Sequence, residues 1–184
     1  SRPDDEPPVA SPLDEDGNRF KRGRLIHALL QTLPEVSEHN REAAAAAFLA
    51  EPSHDLAQRE QVEIAREVLS IMESAAIAPI FGPGSRAEVP IAGDIGTNEP
   101  CVISGQVDRL LVEDEKITVI DFKTNRPPPD DEKNVAPVYL RQMAAYRAAL
   151  RQIYPNREIA TILLWTDGPR LMPLSDQVLD PHAP

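Results

Sequence analysis

Apolar residues recur at helical spacing through the first part of the chain. Leucine and isoleucine side chains fall on one face of a helix predicted from residue 21 to about residue 33, and Pro34 ends it. Further helices are predicted over about 37–50, which is rich in alanine, and over about 54–74. The chain therefore opens with a segment that is predicted to be helical.

The pattern changes at the turn formed by Gly82, Pro83 and Gly84. Short runs rich in β-branched and apolar residues follow, and they predict strands at about 86–91, 101–112, 116–123, 159–165 and 170–174. A helix is predicted at about 137–153, between the third and fourth strands. Helices first, then a hairpin, a crossover helix and another strand predict an α/β fold with a sheet flanked by helices.

Two of these strands are predicted to form a hairpin that brings two carboxylates together. A turn centred on Asp114 and Glu115 would place Asp108 opposite Asp121. Cross-strand neighbours have Cβ atoms about 4.5–5.5 Å apart, close enough for both acids to share one ion. Alternation puts Lys123 on the same face as Asp121, whereas a slip of one residue would separate the carboxylates.

An aspartate on one strand, followed by Asp-x-Lys at the end of the next, suits the hydrolysis of phosphodiesters. Carboxylate oxygens bind hard divalent cations, which polarise a phosphate and help to produce hydroxide. Lysine adds a compact positive charge beside the developing oxyanion, or steers the attacking water. A plainer interpretation stays open, because single Asp and Lys residues near strand ends are usually solvated charges.

Five segments give a more specific indication. They are Gly23-Arg24-Leu25-Ile26-His27, Ala87-Glu88-Val89-Pro90, Gly105-Gln106-Val107-Asp108-Arg109, Ile120-Asp121-Phe122-Lys123-Thr124 and Gln142-Met143-Ala144-Ala145-Tyr146. In this order they resemble the nuclease domain of the RecB and AddA helicase–nucleases, within the PD-(D/E)XK superfamily, and AddA most of all. The resemblance runs from about residue 22 to about 165. It implies a restriction-endonuclease-like core, with a central mixed β-sheet flanked by helices.

The resemblance also implies a metal site. His27, Asp108, Asp121 and the backbone carbonyl of Phe122 would hold Mg²⁺. Mn²⁺ would be able to substitute, because a nitrogen ligand suits manganese better than magnesium. Without the resemblance, His27 on an apolar-faced helix would be interpreted as a packed core histidine.

Further site residues follow from the same resemblance. Lys123 would act on the water or the phosphate, and Glu88 would be a supporting acid near the metal. Gln142 and Tyr146 share a helix face and would contact the DNA or orient the site. Taken alone, Glu88 is typical of a strand-edge charge, and Tyr146 of a packed tyrosine beside a solvated glutamine. Trp165 is predicted to be a core aromatic rather than a base-stacking platform.

The charge of the chain restricts how it could meet DNA. Its formal net charge is −11, with 30 acidic against 19 basic residues, which argues against a free-standing, non-specific DNA binder. A nuclease module to which attached domains deliver DNA is compatible with this charge. Lys21, Arg22 and Arg24 could contact phosphates, although a solvated first helical turn explains them equally well.

The chain is predicted to divide into an acidic, proline-rich linker (1–18), a nuclease domain (19–175) and a C-terminal tail (176–184). Because it begins with Ser1 rather than Met, we expect a piece of a longer polypeptide. The expected partners are DNA, upstream helicase domains of the same polypeptide and an AddB-like subunit.

One cysteine, Cys101, is present, so neither an internal disulfide nor a four-thiolate iron–sulfur cluster can form. Cys101 is predicted to be a small buried apolar residue. The chain has no long apolar run and no signal-peptide pattern, so we expect no membrane contact and a cytoplasmic location.

The resemblance implies a metal-dependent deoxyribonuclease. It would be an exonuclease that acts on single-stranded DNA produced by unwinding, during double-strand break repair and recombination. The alternative is a catalytically silent nuclease-like module that is structural or guides DNA. Such a module would be expected to have lost an acid or the lysine, whereas Asp108, Asp121 and Lys123 are all present.

Overall fold

The computed structural model describes residues 16–94 and 102–184 of the 184-residue chain. Cys101, with its predicted burial, lies outside the described residues. The α-helices are α1 (Asp16–Thr32), α2 (Arg41–Leu49), α3 (Gln58–Glu73), α4 (Pro137–Ile153) and the short α5 (Asp176–Leu179). The strands are β1 (Ser85–Asp94), β2 (Val102–Val112), β3 (Lys116–Lys123), β4 (Glu158–Trp165) and β5 (Arg170–Pro173).

The strands form one sheet in the order β1-β2-β3-β4-β5. Neighbouring strands are antiparallel except β3 and β4, which are parallel and joined by the crossover helix α4. The predicted fold class is confirmed: an α/β architecture with a mixed central sheet, flanking helices and an N-terminal helical segment. Among the described helices, none combines the length and the apolar character that a membrane span requires.

The sheet separates two apolar clusters. On one face, Met143 of α4 packs in a cluster with Val119 of β3. On the other face, Ile26 of α1 shares a cluster with Ile120 and Phe122, and side chains of α2 and α3 complete it. Because β3 is covered on both faces, its sequence is a nearly continuous apolar run.

Element boundaries differ from the prediction mainly among the helices. α3 begins at Gln58 rather than near residue 54, because Asp55 adopts a left-handed conformation (φ 46°) that ends a short 3₁₀ turn. The main-chain N–H of Ala57 then donates to the Glu60 side chain (2.8 Å) and caps the helix. At the other end of the chain, Leu179 of α5 is fully buried in the α4 cluster. The proposed division into linker, domain and tail stays a prediction.

The β2–β3 hairpin has the predicted register. Its ladder runs from Val112 opposite Ile117 to Arg109 opposite Ile120. One more step would place Asp108 opposite Asp121. At that position the main-chain N–H of Phe122 donates to Oδ2 of Asp108 at 2.6 Å. The Asp108 carboxylate therefore takes the place of a main-chain acceptor at the end of the ladder.

This orientation of Asp108 coincides with an irregularity in the neighbouring strand. In the β1–β2 ladder, Ala87 pairs with Arg109 and Val89 pairs with Val107. Glu88, which lies between these two pairs and across from Asp108, has a φ of 51°. Val107 and Leu110 both belong to the α4 cluster, although strict alternation would put them on opposite faces. The facing of β2 thus changes at Asp108, whose carboxylate bonds to the main chain of Phe122.

Candidate active site

The end of β3 carries a buried ion pair. Asp121 is 4 % exposed and Lys123 is 6 % exposed, and Nζ of the lysine lies 2.7 Å from Oδ2 of the aspartate. Their shared face follows from their spacing of two residues along a strand, as predicted. A buried charge requires a partner, and each of these residues provides one for the other.

A chain of hydrogen bonds leads from this pair to α4 and β2. Lys123 Nζ donates to Oε1 of Gln142 (3.1 Å), and Nε2 of Gln142 donates to the Tyr146 hydroxyl (3.2 Å). The hydroxyl in turn donates to the main-chain carbonyl of Gln106 (3.0 Å). Gln142 and Tyr146 thus lie where the sequence places them, directed at the end of β3, and their roles toward DNA stay predictions.

Two glycines allow the helices to approach this site. A Cβ on Gly105 would lie 2.9 Å from Cε1 of Tyr146, so only glycine lets the tyrosine reach β2 without displacement. A Cβ on Gly23 would lie 3.0 Å from Oγ1 of Thr124. Gly23 therefore brings α1 against the end of β3, about one turn before His27 on the same helix.

His27 meets Asp108 across the gap between α1 and β2. Its Nδ1 lies 3.1 Å from Oδ1 of the aspartate, and its ring packs edge-on against Phe122 with centroids 5.7 Å apart. Burial lowers the pKa of His27, but the hydrogen bond and charge of Asp108, together with the charge of Asp121, outweigh that effect. The pKa of His27 is therefore raised, and the protonated ring is favoured beside the two acids.

The Asp121 carboxyl is in an unfavourable environment for its charge. Burial raises its pKa to about 6, even though the charge of Lys123 opposes the shift. The neighbouring Asp108 carboxylate raises the pKa further, whereas the hydrogen bond from Lys123 and the charge of His27 lower it. A bound cation would relieve this accumulation of negative charge.

The candidate metal ligands are two carboxylates, one imidazole and one main-chain carbonyl, and these groups suit a divalent cation. The Phe122 carbonyl faces the same edge of β3 as its N–H, which is the edge where Asp108 lies. Within the described residues, no three His, Cys, Asp or Glu side chains converge on a single point. The candidate ligand side chains instead lie in two separate pairs: His27 contacts Asp108, and Asp121 contacts Lys123.

Glu88 lies at the strained position of β1, and its side chain is partly buried. Burial raises its pKa, and the charge of Asp108 adds to that rise, against the lowering effects of His27 and Arg109. Its main-chain carbonyl accepts a hydrogen bond from Nε2 of Gln106 (3.0 Å). Glu88 is thus an electrostatic neighbour of Asp108, and its supporting role in a metal site stays a prediction.

The three basic residues at the start of α1 have different surroundings. Lys21 donates to the main-chain carbonyl of Asp55 (2.9 Å), and Arg22 forms an ion pair with Glu67 of α3. Arg24 is exposed. Its guanidinium lies over the exposed Phe20 ring (5.3 Å to the centroid), so all three side chains make contacts within the protein. Phosphate binding by any of them stays a prediction.

Tyr139 covers the lysine, a role that the sequence did not reveal. Nζ of Lys123 lies 4.0 Å from the centroid of the Tyr139 ring, and the tyrosine hydroxyl donates to Oδ1 of Asn125 (3.1 Å). Trp165 packs edge-on against the same ring and is 1 % exposed, as predicted for a core aromatic. Tyr139 precedes Gln142 by three residues, so helical spacing alone could have placed both at one site.

Arg109 is a second residue whose importance was not predicted. It is 2 % exposed and donates to the main-chain carbonyl of Leu30 (3.2 Å) and to Oγ of Ser85 (3.0 Å). Its guanidinium therefore holds the C-terminal end of α1, where the helix dipole favours a cation. Since α1 carries His27, Arg109 fixes the position of that histidine relative to Asp108. A lone arginine within an apolar strand was the available signal.

Comparison with known proteins identifies the family. A family model described as the PD-(D/E)XK nuclease superfamily matches residues 5–171. An ATP-dependent helicase/nuclease protein of Oenococcus oeni (strain ATCC BAA-331 / PSU-1) is 32% identical over 79 residues, which are 42% of this chain and 7% of that protein. The chain thus corresponds to a small part of that relative.

A solved structure titled "Crystal structure of SSO0001" covers 90% of this chain and 82% of its own, with 14% identity and a TM-score of 0.37. Nucleases of the PD-(D/E)XK superfamily generally use divalent metal ions such as Mg²⁺. The mixed sheet flanked by helices is consistent with their restriction-endonuclease-like fold. Since the family model of the PD-(D/E)XK nuclease superfamily matches nearly the whole sequence, this chain belongs to that superfamily.

Proposed function

We propose that this chain is a metal-dependent deoxyribonuclease domain that hydrolyses phosphodiester bonds. One observation carries the proposal: the buried pair of Asp121 and Lys123 is linked through Gln142 to Tyr146. A buried lysine paired with a buried carboxylate has little structural value that apolar side chains could not supply. It is well suited to stabilise charge on a phosphate.

The metal ligands in this proposal are His27, Asp108, Asp121 and the Phe122 carbonyl. Mg²⁺ is the proposed ion, Mn²⁺ would substitute, and an iron–sulfur cluster has no part in it. When bound, such an ion polarises a phosphate oxygen and lowers the pKa of water. Binding has to compete with the present pairing, in particular the 2.7 Å contact between Asp121 and Lys123.

The lysine then acts on the reacting groups. With a cation held by Asp121, Nζ of Lys123 would direct a hydrogen bond to a phosphate oxygen or to the attacking water. Gln142 and the Tyr139 ring hold the ammonium at the end of β3, so its orientation does not depend on Asp121 alone. Water attacks the phosphorus in line with the leaving oxygen, and the negative charge that develops lies beside the lysine.

We further propose that the substrate is single-stranded DNA that a helicase delivers. The helicase/nuclease relative from Oenococcus oeni supports this proposal, since part of it is similar to this chain. The charge of −11 supports it too, because such a domain needs help to hold DNA. The proposal includes exonuclease action in double-strand break repair and recombination. Upstream helicase domains, an AddB-like partner and a cytoplasmic location complete it.

A cleavage assay on two forms of DNA tests this function. Purified protein is mixed with end-labelled linear and with circular single-stranded DNA, in Mg²⁺, in Mn²⁺ or in EDTA. We expect the linear strand to be degraded in either metal and the circular strand to persist, since an exonuclease needs an end. Cutting of the circular strand would identify an endonuclease rather than an exonuclease. Cutting in EDTA would contradict metal dependence.

The alternative is a catalytically silent module that guides DNA. It is favoured by the absence, among the described residues, of three converging metal-binding side chains, and by the close pairing of Asp121 with Lys123. A silent module would bind single-stranded DNA without cutting it in any divalent metal. The same assay, accompanied by a binding measurement, separates the two functions.

A further inference from the structure

A cleft of about 580 Å³ lies beside the candidate active site, between α3 and the turn that follows β4. Three arginines line it, Arg59, Arg66 and Arg126, together with the acids Glu63, Glu67 and Asp167. Arg22 reaches Glu67 from α1, so four guanidinium groups meet three carboxylates here. This local excess of positive charge contrasts with the net charge of −11 for the whole chain.

The cleft adjoins the end of β3 that carries the candidate site. Arg126 follows Lys123 by three residues, a stretch of chain that spans at most about 11 Å. Thr166, which lines another wall of the cleft, also lies at the end of β3, because its main-chain N–H donates to the carbonyl of Lys123 (3.0 Å). The Lys123 ammonium is directed to α4 and Arg126 to Glu67 of α3, so a DNA strand that crosses the end of β3 can meet both side chains.

Glu67 acts as an anchor for two arginines. Its side chain is only 8% exposed, and its Oε2 pairs with Arg22 and lies 2.5 Å from Nη2 of Arg126. Its Oε1 is buried and has no hydrogen-bond partner among the described residues. One carboxylate thus holds two guanidinium groups, which leaves positive charge that it does not neutralise.

Of these two arginines, Arg126 is the one available to a ligand. Its side chain is 48% exposed, against 21% for Arg22. Its second contact, from Nε to Oδ1 of Asp167, is long at 3.4 Å, and Asp167 is itself 38% exposed. A phosphate could displace this contact while Glu67 continues to hold Nη2.

We propose that Arg126 binds a phosphate of the DNA strand, adjacent to the phosphate at Lys123. The inference rests on the proposed function and adds a substrate-binding residue to it. A guanidinium offers forked donors that match phosphate oxygens, and the buried Glu67 keeps the fork oriented before DNA arrives. Asp167 occupies the cleft in the absence of DNA and is replaced by the stronger anion.

Arg126→Gln tests the inference directly, with Arg157→Gln as its matched control. Arg157 precedes β4, at the end of that strand opposite the cleft, and donates to the main-chain carbonyl of Glu113 (3.0 Å), so its loss removes the same charge far from the cleft. Binding of a labelled single-stranded oligonucleotide is followed by fluorescence anisotropy in EDTA, across a salt titration. We expect Arg126→Gln to bind about tenfold more weakly, with a salt slope smaller by about one. The control should bind as the parent does.

A second variant keeps the test decisive if Arg126→Gln does not fold. Asp167→Asn removes the competing carboxylate from a partly exposed residue and should tighten binding about threefold. Glu158→Gln is its control: this exposed acid pairs with Lys116 where β3 and β4 begin, at the other end of the strands, and its loss should change binding little. An Asp167→Asn protein that binds no better than this control would overturn the inference.

The outcomes separate the inference from the proposed function. If the parent cuts DNA and Arg126→Gln binds and cuts equally well, the inference is wrong and the function stands. If the parent binds DNA without cutting it and Arg126→Gln loses affinity, the inference stands and the function is wrong. A parent that does not bind the oligonucleotide even at low salt overturns the inference.

Discussion

Gln142 accepts a hydrogen bond from Nζ of Lys123 at 3.1 Å, which ties the end of β3 to the crossover helix α4. The same ammonium pairs with Asp121 and lies over the Tyr139 ring. Groups of different chemistry therefore set its position, among them an amide, a carboxylate and an aromatic ring. A lysine held in this way can release the carboxylate without losing its orientation.

Replacing Lys123 with alanine should lower turnover on the order of 10²–10³-fold, because a single donor to the developing charge is lost. It should also lower the melting temperature, since Asp121 is left buried without its cation. The double variant Lys123→Ala/Asp121→Asn should recover much of the melting temperature and none of the activity. Single-turnover cleavage and thermal melts measure the two effects separately. If Lys123→Ala cleaves DNA at a rate within a few-fold of the parent's, the lysine has only a structural role.

The raised pKa of Asp121 gives a pH dependence of stability in the absence of metal. The folded protein holds this proton up to about pH 6, whereas the unfolded chain releases it near the ordinary value of 3.8. Stability is therefore gained as pH falls below about 7 toward 4, and it is lost as pH rises through the folded pKa. We expect the melting temperature to rise from pH 8 to pH 5.5.

Asp121→Asn isolates this contribution, because asparagine resembles the protonated acid at every pH. This variant should melt higher than the parent at pH 8 and should show a weaker pH dependence. The raised pKa of His27 acts in the same direction; the part that comes from Asp108 stays in both proteins, and the part that comes from the Asp121 charge is lost in the variant. Parallel pH profiles for the two proteins would contradict the burial argument for Asp121.

Tyr139 offers a test of how the lysine is positioned. Tyr139→Leu removes the ring face below Nζ of Lys123 and should lower kcat several-fold, in keeping with a cation–π contact of about 0.5–2 kcal/mol. Tyr139→Phe keeps the ring, loses only the hydrogen bond to Asn125, and should stay close to the parent. The affinity for DNA should not change in either protein. Equal losses in both variants would assign the effect to the hydroxyl instead.

Gly105→Ala should disturb the site through packing. The added methyl group would stand 2.9 Å from Cε1 of Tyr146 and would push α4 away from β2. Overpacking of this kind typically costs about 1–3 kcal/mol, and it should be measurable by denaturant unfolding. Gly93→Ala controls for the change of residue type, because a Cβ on this strand glycine would make only an ordinary contact, 3.9 Å from the Ala149 Cβ. A Gly105→Ala protein as stable as the parent would mean that Tyr146 moves aside freely.

Much of the fold could be predicted because its central elements carry strong local signals. β3 and α4 have the predicted bounds, since each has an uninterrupted apolar pattern and a clear stop. The hairpin register followed from the pairing of apolar residues on either side of Asp114 and Glu115. Strand alternation placed Asp121 and Lys123 on one face, and the family resemblance added Gln142 to their site.

The remainder depended on contacts that no local pattern encodes. The Asp108 carboxylate accepts a hydrogen bond from the main-chain N–H of Phe122, and Glu88 on the neighbouring strand has a left-handed backbone conformation. Arg22 was a candidate for contact with DNA, but it is engaged by Glu67, which lies 45 residues away on α3. Such partners become apparent only when the helices pack, and sequence reasoning therefore overstated how freely these side chains could bind a ligand.

Metal-dependent cleavage at Asp121 is tested most directly by the single-turnover rate of single-stranded DNA cleavage as a function of Mg²⁺ concentration. The parent is compared with Asp121→Asn and with Asp114→Asn, which changes an exposed aspartate in the turn of the same hairpin. We expect a rate that rises with Mg²⁺ to saturation in the parent and in Asp114→Asn, and a rate at least about 100-fold lower in Asp121→Asn. A folded Asp121→Asn protein that cuts at the parental rate, or a parent that does not cut in Mg²⁺ or Mn²⁺, would contradict the proposed function.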